Sequence, residues 1–297
     1  MGKIIDLHIH TTISDGTLLP KEVIDEAAKN GVKVIAIADH DTIDAYTDDL
    51  YDYAKEKKVM IIPAVEISTK TDKCGIHVLG YNIDIHNEEF KQKLFALRNV
   101  RHIYLHDVAE KLKKLGYILN VAKLDKVEAV TKAHIALDVV QNSENESLLL
   151  RNFGHIPSKG EFIETVMNEG CPAYVKKETI TPKEAAELIR KAGGKVILAH
   201  PVAYEYEDGL TQEDILMLVK AMQADGIEAN YIYVNRNNEK INEVEKWNEF
   251  ARKNQLNVTV GSDFHNSDGI RPEIGLIYEN LNMSDDDVEK IVNFLLH

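Results

Sequence analysis

Short aliphatic segments alternate with helical segments along most of the chain, and this alternation constrains the fold more than any other feature. The segment 33–38 is apolar at nearly every position, as are 59–65 and 195–199. Such segments are typical of strands that are buried on both faces of a sheet. Because each one follows a segment with helical periodicity, the pattern predicts a parallel α/β fold.

Polar residues directly follow these apolar segments. Asp39 and His40 follow the second predicted strand, and Asp263 and His265 follow the last one. In barrels of the (β/α) type, the carboxyl ends of the strands share one face, where catalytic residues collect. With about seven strands in the pattern, we predict a distorted seven-stranded (β/α) barrel. An open doubly wound sheet is the alternative, because a sequence does not show whether a sheet closes.

The segment 85–171 breaks this rhythm. It consists mostly of amphipathic helical stretches, among them the long charged segment 88–115. No predicted strand with a polar end falls inside it. We therefore predict a catalytic domain formed by 1–84 and 172–297, with a helical insertion domain at 85–171 beside the mouth of the barrel.

Composition bears on the partners and the location of the protein. With 49 acidic against 35 basic residues, the net charge of −14 argues against a long nucleic-acid duplex as partner. A nucleotide or a short oligonucleotide stays open, because a few cations suffice to hold it. The chain has no run of 18 apolar residues and no charged-then-apolar leader, so we expect no membrane partner. The two cysteines, Cys74 and Cys171, suit the reducing cytoplasm. The oligomeric state is not visible in the sequence.

His8 and His10 lie in the first apolar segment, separated by one residue. In a strand they project from the same face, about 6–7 Å apart, a spacing at which two imidazoles can bind one metal ion. The pair is weak evidence by itself, because the chain has 12 histidines. Further imidazoles and carboxylates occur in or beside the predicted strands, and together they are the ligands that Zn²⁺, Mn²⁺ and Fe²⁺ prefer. The full set is His8, His10, Asp15, Asp39, His40, Glu66, His77, His200, Glu228, Asp263 and His265. The set predicts a centre with more than one metal ion.

Four segments resemble the PHP (polymerase and histidinol phosphatase) superfamily. They are DLHIHTTISDGT at 6–17, IAIADHDT at 35–42, LAHP at 198–201 and GSDFH at 261–265. The resemblance extends over 3–84 and 172–275 and implies a barrel of the PHP type. The insertion and the segment 193–201 resemble the branch that includes nucleoside 3′,5′-bisphosphate phosphatases and 5′→3′ exoribonucleases acting on short RNA.

The resemblance also implies two or three divalent ions, with Mn²⁺, Fe²⁺ and Zn²⁺ all open. A first ion is implied at His8, His10, Glu66 and Asp263. Glu66 bridges to a second ion, which His77 and His200 complete, and a third lies at Asp15, His40 and His265. The candidate catalytic residues are Asp39, which would orient a ligand, Asp263 and His200. The general acid is open between His200 and a metal-bound water.

Five residues are candidates for substrate binding. Lys132 and His134 stand where the branch often has Arg-Pro-His, so Lys132 supplies charge without a bidentate fork. His134 is open between a substrate contact, a metal ligand and a helix cap. The segment 173–177 resembles a Val-Pro-Lys motif, which favours Lys177 over Lys176 as a phosphate contact, although both could be solvated lysines. Arg236, which follows a predicted strand, is the last candidate.

The function that the resemblance implies is hydrolysis of nucleotide phosphate esters by a hydroxide that the metal ions activate. The substrate is then the 3′-phosphate of a nucleoside 3′,5′-bisphosphate or the 5′ end of a short RNA. The alternatives are a histidinol-phosphatase-like phosphomonoesterase and a non-catalytic metal-binding PHP module. His102 and His106, four residues apart on a predicted helix, lack an adjacent glutamate base and are interpreted as a helix face.

Overall fold

A computed structural model describes residues 5–127, 130–176, 179–235, 237–277 and 283–297. It divides into two compact units, which we call the sheet unit, Met1–Lys93 with Ile180–His297, and the helical unit, Leu94–Thr179. The sequence predicts an insertion domain at 85–171 and a catalytic domain at 1–84 with 172–297. These domain bounds stay a prediction.

The sheet unit contains two main sheets and a short ribbon. The first sheet pairs three parallel strands in the order β1-β2-β3: β1 Ile5–Ile9, β2 Val34–Ile37 and β3 Met60–Ile61. The second has the order β10-β7-β6-β5-β4: β4 Ala64–Lys70, β5 Gly75–Tyr81, β6 Lys195–Leu198, β7 Gly226–Asn230 and β10 Asn257–Val260. The ribbon pairs β8 Tyr233–Val234 with β9 Lys240–Ile241.

Two pairings in the second sheet correct the prediction of a parallel fold. Strand β5 is antiparallel to both β4 and β6, whereas β6, β7 and β10 run parallel. The reason lies in the connection, because only the short turn 71–74 joins β4 to β5. A parallel pair needs a crossover of a dozen or more residues, so this turn permits only a hairpin.

Isolated bridges connect the edges of the two sheets. Ile9 pairs with Phe264, where His10 N donates to Phe264 O at 2.8 Å, and His40 pairs with Glu66. Within the described residues there are ten strands in three sheets. The α/β fold class is therefore confirmed, whereas the closed seven-stranded barrel is not.

Among the described residues, seven helices lie wholly in the sheet unit, and an eighth, α3 Glu88–Lys114, begins in it. The seven are α1 Pro20–Lys29, α2 Asp48–Lys57, α8 Pro182–Lys191, α9 Pro201–Asp208, α10 Gln212–Met222, α11 Val244–Lys253 and α12 Asp285–Leu296. Periodicity did not indicate α9 or α12. Pro201 occupies the first turn of α9, where its missing N–H costs nothing.

The core of the sheet unit lies between its strands and α12. Leu7, Ala36, Leu79 and Ile197 are fully buried in one cluster with Leu295 of α12. These strands bury their side chains on both faces. Their polar residues therefore lie either at the strand ends or at buried positions within the strands. That placement positions the site described below.

The helical unit is built on the rest of α3. It also contains α4 Val121–Leu124, α5 Lys132–Gln141, α6 Glu146–Phe153 and α7 Lys159–Phe162, with a 3₁₀ turn at Ser143–Asn145 and a π turn at Ile163–Met167. Its core collects Leu105, Val108, Ile135, Leu149 and Phe162, each fully buried. The described residues of this unit contain no strand, as the sequence predicts.

Asn145 ties three parts of the helical unit together. Its side chain, 1% exposed, donates to Ile118 O at 2.8 Å and Val139 O at 2.9 Å and accepts from Ile118 N at 2.8 Å. Replacing it with alanine leaves three backbone groups without these bonds, one of them the buried Val139 O, so we expect the free energy of unfolding to fall by about 2–4 kcal/mol. Urea denaturation measures the loss. An Asn152→Ala variant, which removes one bond to Tyr117 Oη, should lose less, and equal losses would contradict the argument.

No helix in the described part of the chain combines the length and the apolar character needed to cross a bilayer.

Cys74 and Cys171 are both free thiols.

Candidate metal centre

Imidazoles and carboxylates from six strands and their following loops meet in the sheet unit. Their ring nitrogens and carboxylate oxygens form three overlapping groups, in each of which the ligand atoms lie within 4.8 Å of one another. The groups are His8, His10 and Glu66; His40, Glu66 and His77; and His10, Asp15, His40 and His265. His200 and Asp263, the other two predicted ligands, contact members of these groups.

Glu66 on β4 lies at the centre of the cluster and is 1% exposed. Its carboxylate oxygens lie 3.0–3.5 Å from ring nitrogens of five histidines: His8, His10, His40, His77 and His200. Burial acts to raise the pKa of Glu66, but the charges of His77, His40 and His8 hold it well below its usual value. The lowered pKa favours the ionised form of Glu66, which is the form that can bind a cation.

His8 and His10 project from the same side of the chain, as their spacing predicts. Their Nε2 atoms are 3.1 Å apart, and Asp263 Oδ1 lies 3.4 Å from the first and 3.2 Å from the second. Two neutral imidazoles facing each other with lone pairs would repel, so a proton or a cation is needed between them. The pKa of His10 is raised to about 10, because Asp263 and Glu66 outweigh its burial. This donor set fits a divalent ion.

Asp15 organises the opposite side of the cluster. Its oxygens lie 3.4 Å from His265 Nε2, 3.5 Å from His10 Nδ1 and 3.7 Å from His40 Nε2. His10 thus presents one ring nitrogen to Asp15 and the other to Glu66. Burial lowers the pKa of His40 to about 3, and the carboxylates of Asp15 and Glu66 oppose that shift.

His77 and His200 form the most open part of the cluster. His77 Nδ1 is 3.4 Å from His200 Nε2, and the His77 side chain is 33% exposed. The His200 backbone has a φ of 24° directly before Pro201, and Asp263 has a φ of 52°. Residues with side chains rarely adopt these angles, and such strain concentrates at functional sites.

Asp39 lies behind the ligands and holds the loop that carries Asp15. Its carboxylate accepts from Thr11 N and Thr11 Oγ1, both at 2.7 Å, and from Ser14 Oγ at 2.6 Å. Ser14 Oγ in turn lies 3.4 Å from His10 Nδ1. The contact to a ligand that the sequence suggests for Asp39 is therefore indirect. Burial raises the pKa of Asp39, and these hydrogen bonds oppose the rise.

Sequence reasoning assigned no role to several residues that contact the cluster. Glu228 was among the polar strand residues, but its contact with His8 was not foreseen. Tyr204 Oη accepts from His77 N at 2.8 Å, and Tyr231 Oη donates to Asp263 Oδ2 at 3.4 Å. No local pattern distinguishes these tyrosines from core residues, because long-range packing brings them to the cluster.

Three of the five predicted substrate-binding residues lie in the described part of the helical unit. Lys132 Nζ donates to Asn168 Oδ1 at 3.1 Å, and Lys176 is exposed. His134 Nδ1 accepts from Thr131 N at 3.1 Å in a capping box, the contact expected for one of the three roles left open for it. Lys177 and Arg236 lie outside the described residues.

His102 and His106 both face Asp125 from α3. His102 Nδ1 lies 3.4 Å and His106 Nε2 3.1 Å from Asp125 Oδ1. The three residues do not form a group with metal-ligand spacing among the described residues. They remain best interpreted as a partly exposed helix face.

Comparison with known proteins gives the family. The family model of the PHP domain matches residues 6–193. The chain is 33% identical over 267 residues to a 5′-3′ exoribonuclease of Haemophilus influenzae, which covers 89% of this chain and 91% of that protein. It is 25% identical over 272 residues to a 3′,5′-nucleoside bisphosphate phosphatase of Chromobacterium violaceum, with 88% of this chain and 87% of that protein covered.

A solved structure shows the same fold. It is a protein of Bifidobacterium adolescentis described as a metal-dependent phosphoesterase, with a TM-score of 0.74 at 22% identity over 99% of this chain and 96% of that one. This likeness concerns the fold. The chain therefore belongs to the PHP domain family and is a metal-dependent phosphoric ester hydrolase.

Proposed function

We propose that this enzyme hydrolyses phosphate esters of nucleotides, either the 3′-phosphate of a nucleoside 3′,5′-bisphosphate or the 5′ end of a short RNA. The observation that carries the proposal is the buried Glu66 carboxylate, in contact with five histidines. The relatives named as an exoribonuclease and a nucleoside bisphosphate phosphatase support the substrate class. The acid excess of the chain favours a small substrate over a long duplex.

The proposed ligands follow the three groups of side chains. We assign His8, His10, Glu66 and Asp263 to one ion; Glu66, His77 and His200 to a second; and Asp15, His40 and His265 to a third. Two or three ions of Mn²⁺, Fe²⁺ or Zn²⁺ fit this donor set. When bound, such ions lower the pKa of a water molecule and neutralise charge on the phosphoryl oxygens.

Residues of the protein hold the proposed ligands in position and leave one side of the cluster open to the substrate. Asp39 holds the loop that positions Asp15, and the ionised Glu66 keeps the surrounding imidazoles oriented. We propose that the phosphate enters beside His77 and Asp263, whose side chains are 33% and 21% exposed. His200, next to His77, is our candidate for protonating the leaving alcohol only where it does not bind the second ion.

Other parts of the proposal concern architecture and substrate contacts. The isolated bridges at Ile9 and His40 support a distorted barrel in which the two sheets continue into each other. We propose that the sheet unit is the catalytic domain and that the helical unit is an insertion. Lys132, His134 and Lys176, with Lys177 and Arg236, remain the proposed substrate contacts, and the cytoplasm remains the proposed location.

Metal removal and reloading test the proposal. Dialysis against a chelator should reduce phosphate release to the uncatalysed rate, and Mn²⁺ should restore it, because no other described group in the cluster supplies a comparable electrophile. The assay compares adenosine 3′,5′-bisphosphate, a 5′-phosphorylated trinucleotide and histidinol phosphate, with metal content measured in parallel.

The pattern of release separates the candidates. Release from either nucleotide substrate supports the proposal. Release from histidinol phosphate alone supports a histidinol-phosphatase-like enzyme. Metal binding without release from any of the three contradicts the proposed substrates and favours a non-catalytic module.

A further inference from the structure

Glu228 on β7 is a buried carboxylate in contact with two proposed metal ligands. It is 1% exposed, and its Oε1 and Oε2 lie 3.0 and 3.2 Å from His8 Nδ1. Oε2 also accepts from His200 N at 2.9 Å. One side chain therefore contacts residues that we assign to two different ions.

The contact with His8 decides which ring nitrogen is available. We assign the carboxylate oxygens as the acceptors in this contact, so that His8 Nδ1 is the donor and carries the proton. The other ring nitrogen, Nε2, then faces His10, Glu66 and Asp263 with its lone pair free for a cation. Hydrogen bonds of this kind fix the orientation and the tautomer of metal-binding histidines.

The contact with His200 acts on the backbone. His200 has a φ of 24° and precedes Pro201, so its conformation must be maintained by its surroundings. The bond from His200 N to Glu228 is one such restraint, and His200 Nε2 reaches Glu66 at 3.2 Å from that conformation. Glu228 thereby orients a second ligand without contacting its ring.

Space for Glu228 depends on a glycine in the neighbouring strand region. A Cβ at Gly261 would lie 2.3 Å from Glu228 Oε1 and 2.3 Å from the His8 Cβ. The missing side chain at this position thus allows the carboxylate and the imidazole to meet.

We propose that Glu228 is a positioning residue that fixes the tautomer of His8 and the backbone of His200, and so aligns two ions of the centre. This inference rests on the proposed assignment of His8 and His200 as metal ligands. Glu228 touches no reacting group in this assignment and acts through the two histidines.

A Glu228→Gln variant tests the proposal, with Zn²⁺ alone as the probe. The glutamine keeps an oxygen for His200 N but has one acceptor atom instead of two. We expect Zn²⁺ affinity, measured by chelator competition, to fall about 10–100-fold. Long-range ¹H–¹⁵N spectra of ¹⁵N-histidine protein, with His8 assigned through a His8→Gln variant, should show Nδ1 protonated in the wild type and a changed tautomer population in Glu228→Gln.

Asp225→Asn is the matched control. Its carboxylate accepts from Val196 N at 2.8 Å just before the same strand, without contacting a histidine. This variant should keep both the Zn²⁺ affinity and the His8 spectrum of the wild type. Circular dichroism at the assay temperature confirms that each variant is folded, so a loss confined to Glu228→Gln is not a folding defect.

The outcomes separate this proposal from the proposed function. Unchanged affinity or an unchanged His8 spectrum in Glu228→Gln overturns the role of Glu228. A wild type that binds Zn²⁺ but releases no phosphate contradicts the substrate assignment and leaves the Glu228 comparison decisive. A metal-free wild type in which His8 Nδ1 lacks a proton overturns the role of Glu228 without any assay of activity.

Discussion

Replacing Glu66 with glutamine is expected to lower kcat/KM for the nucleotide substrate by about 10³-fold or more, equivalent to about 4 kcal/mol of lost transition-state stabilisation. The carboxylate is 1% exposed and lies within 3.5 Å of ring nitrogens from five histidines. An amide of the same shape removes the negative charge that would bridge two ions. In the variant, the amide nitrogen of the glutamine would face imidazoles that a carboxylate oxygen of Glu66 faces in the wild type.

Steady-state kinetics and metal content measure this effect together. Thr69→Val is the control, because Thr69 is a buried polar residue of the same strand whose hydroxyl donates to Ile76 O at 2.6 Å. It should lose stability of about 1 kcal/mol and keep its kcat/KM. If Glu66→Gln retained its metals and at least a tenth of the wild-type kcat/KM, the central role of Glu66 would be wrong.

Gly261→Ala is expected to damage both the fold and the site. The new Cβ would lie 2.3 Å from Glu228 Oε1 and from the His8 Cβ, and 3.1 Å from His8 N. Neither neighbour can yield without moving a proposed ligand or its partner. We expect a loss of about 1–3 kcal/mol in the free energy of unfolding from overpacking. The displaced His8 should lower kcat/KM by about 10²-fold, the cost of a misplacement near 1 Å.

Gly80→Ala separates the two effects. Its Cβ would meet Ile189 Cγ1 at 2.8 Å, a smaller overlap with a buried side chain of α8 that is not a proposed ligand. Urea denaturation should show a loss of stability in this variant, whereas the kcat/KM of its folded fraction should stay at the wild-type value. Equal kcat/KM losses in both glycine variants would show that Gly261 acts on stability alone.

Two general features of strands made much of the site predictable. Side chains alternate between the two faces of a strand, and parallel strands end at the same edge of a sheet. In a strand, residues i and i+2 share a face, so the pair His8 and His10 follows from local geometry. Polar residues after apolar segments predicted that His40 and Asp263 reach one cluster, since parallel strands end at the same edge. All nine predicted ligands lie in contact with another member of that cluster.

Other features depend on pairing and could not be predicted. The sequence indicates a hairpin link after β4 but not that β5 also runs antiparallel to β6, because residues more than a hundred positions apart make that pairing. Strand count failed for a related reason. Two-residue strands such as Met60–Ile61 exist only through their partners and leave little periodicity to detect.

The sequence by itself determined an α/β chain whose strands carry imidazoles and carboxylates suited to divalent ions. These features are visible in the sequence because strand alternation and ligand chemistry are local properties. Only the tertiary structure decided how those side chains share contacts. It directs the two nitrogens of His10 toward Asp15 and Glu66, and it brings Glu228 against His8 across 220 residues. The physical reason is register, since the alignment of β7 with β10 sets Glu228 beside Gly261, and no local pattern encodes that alignment.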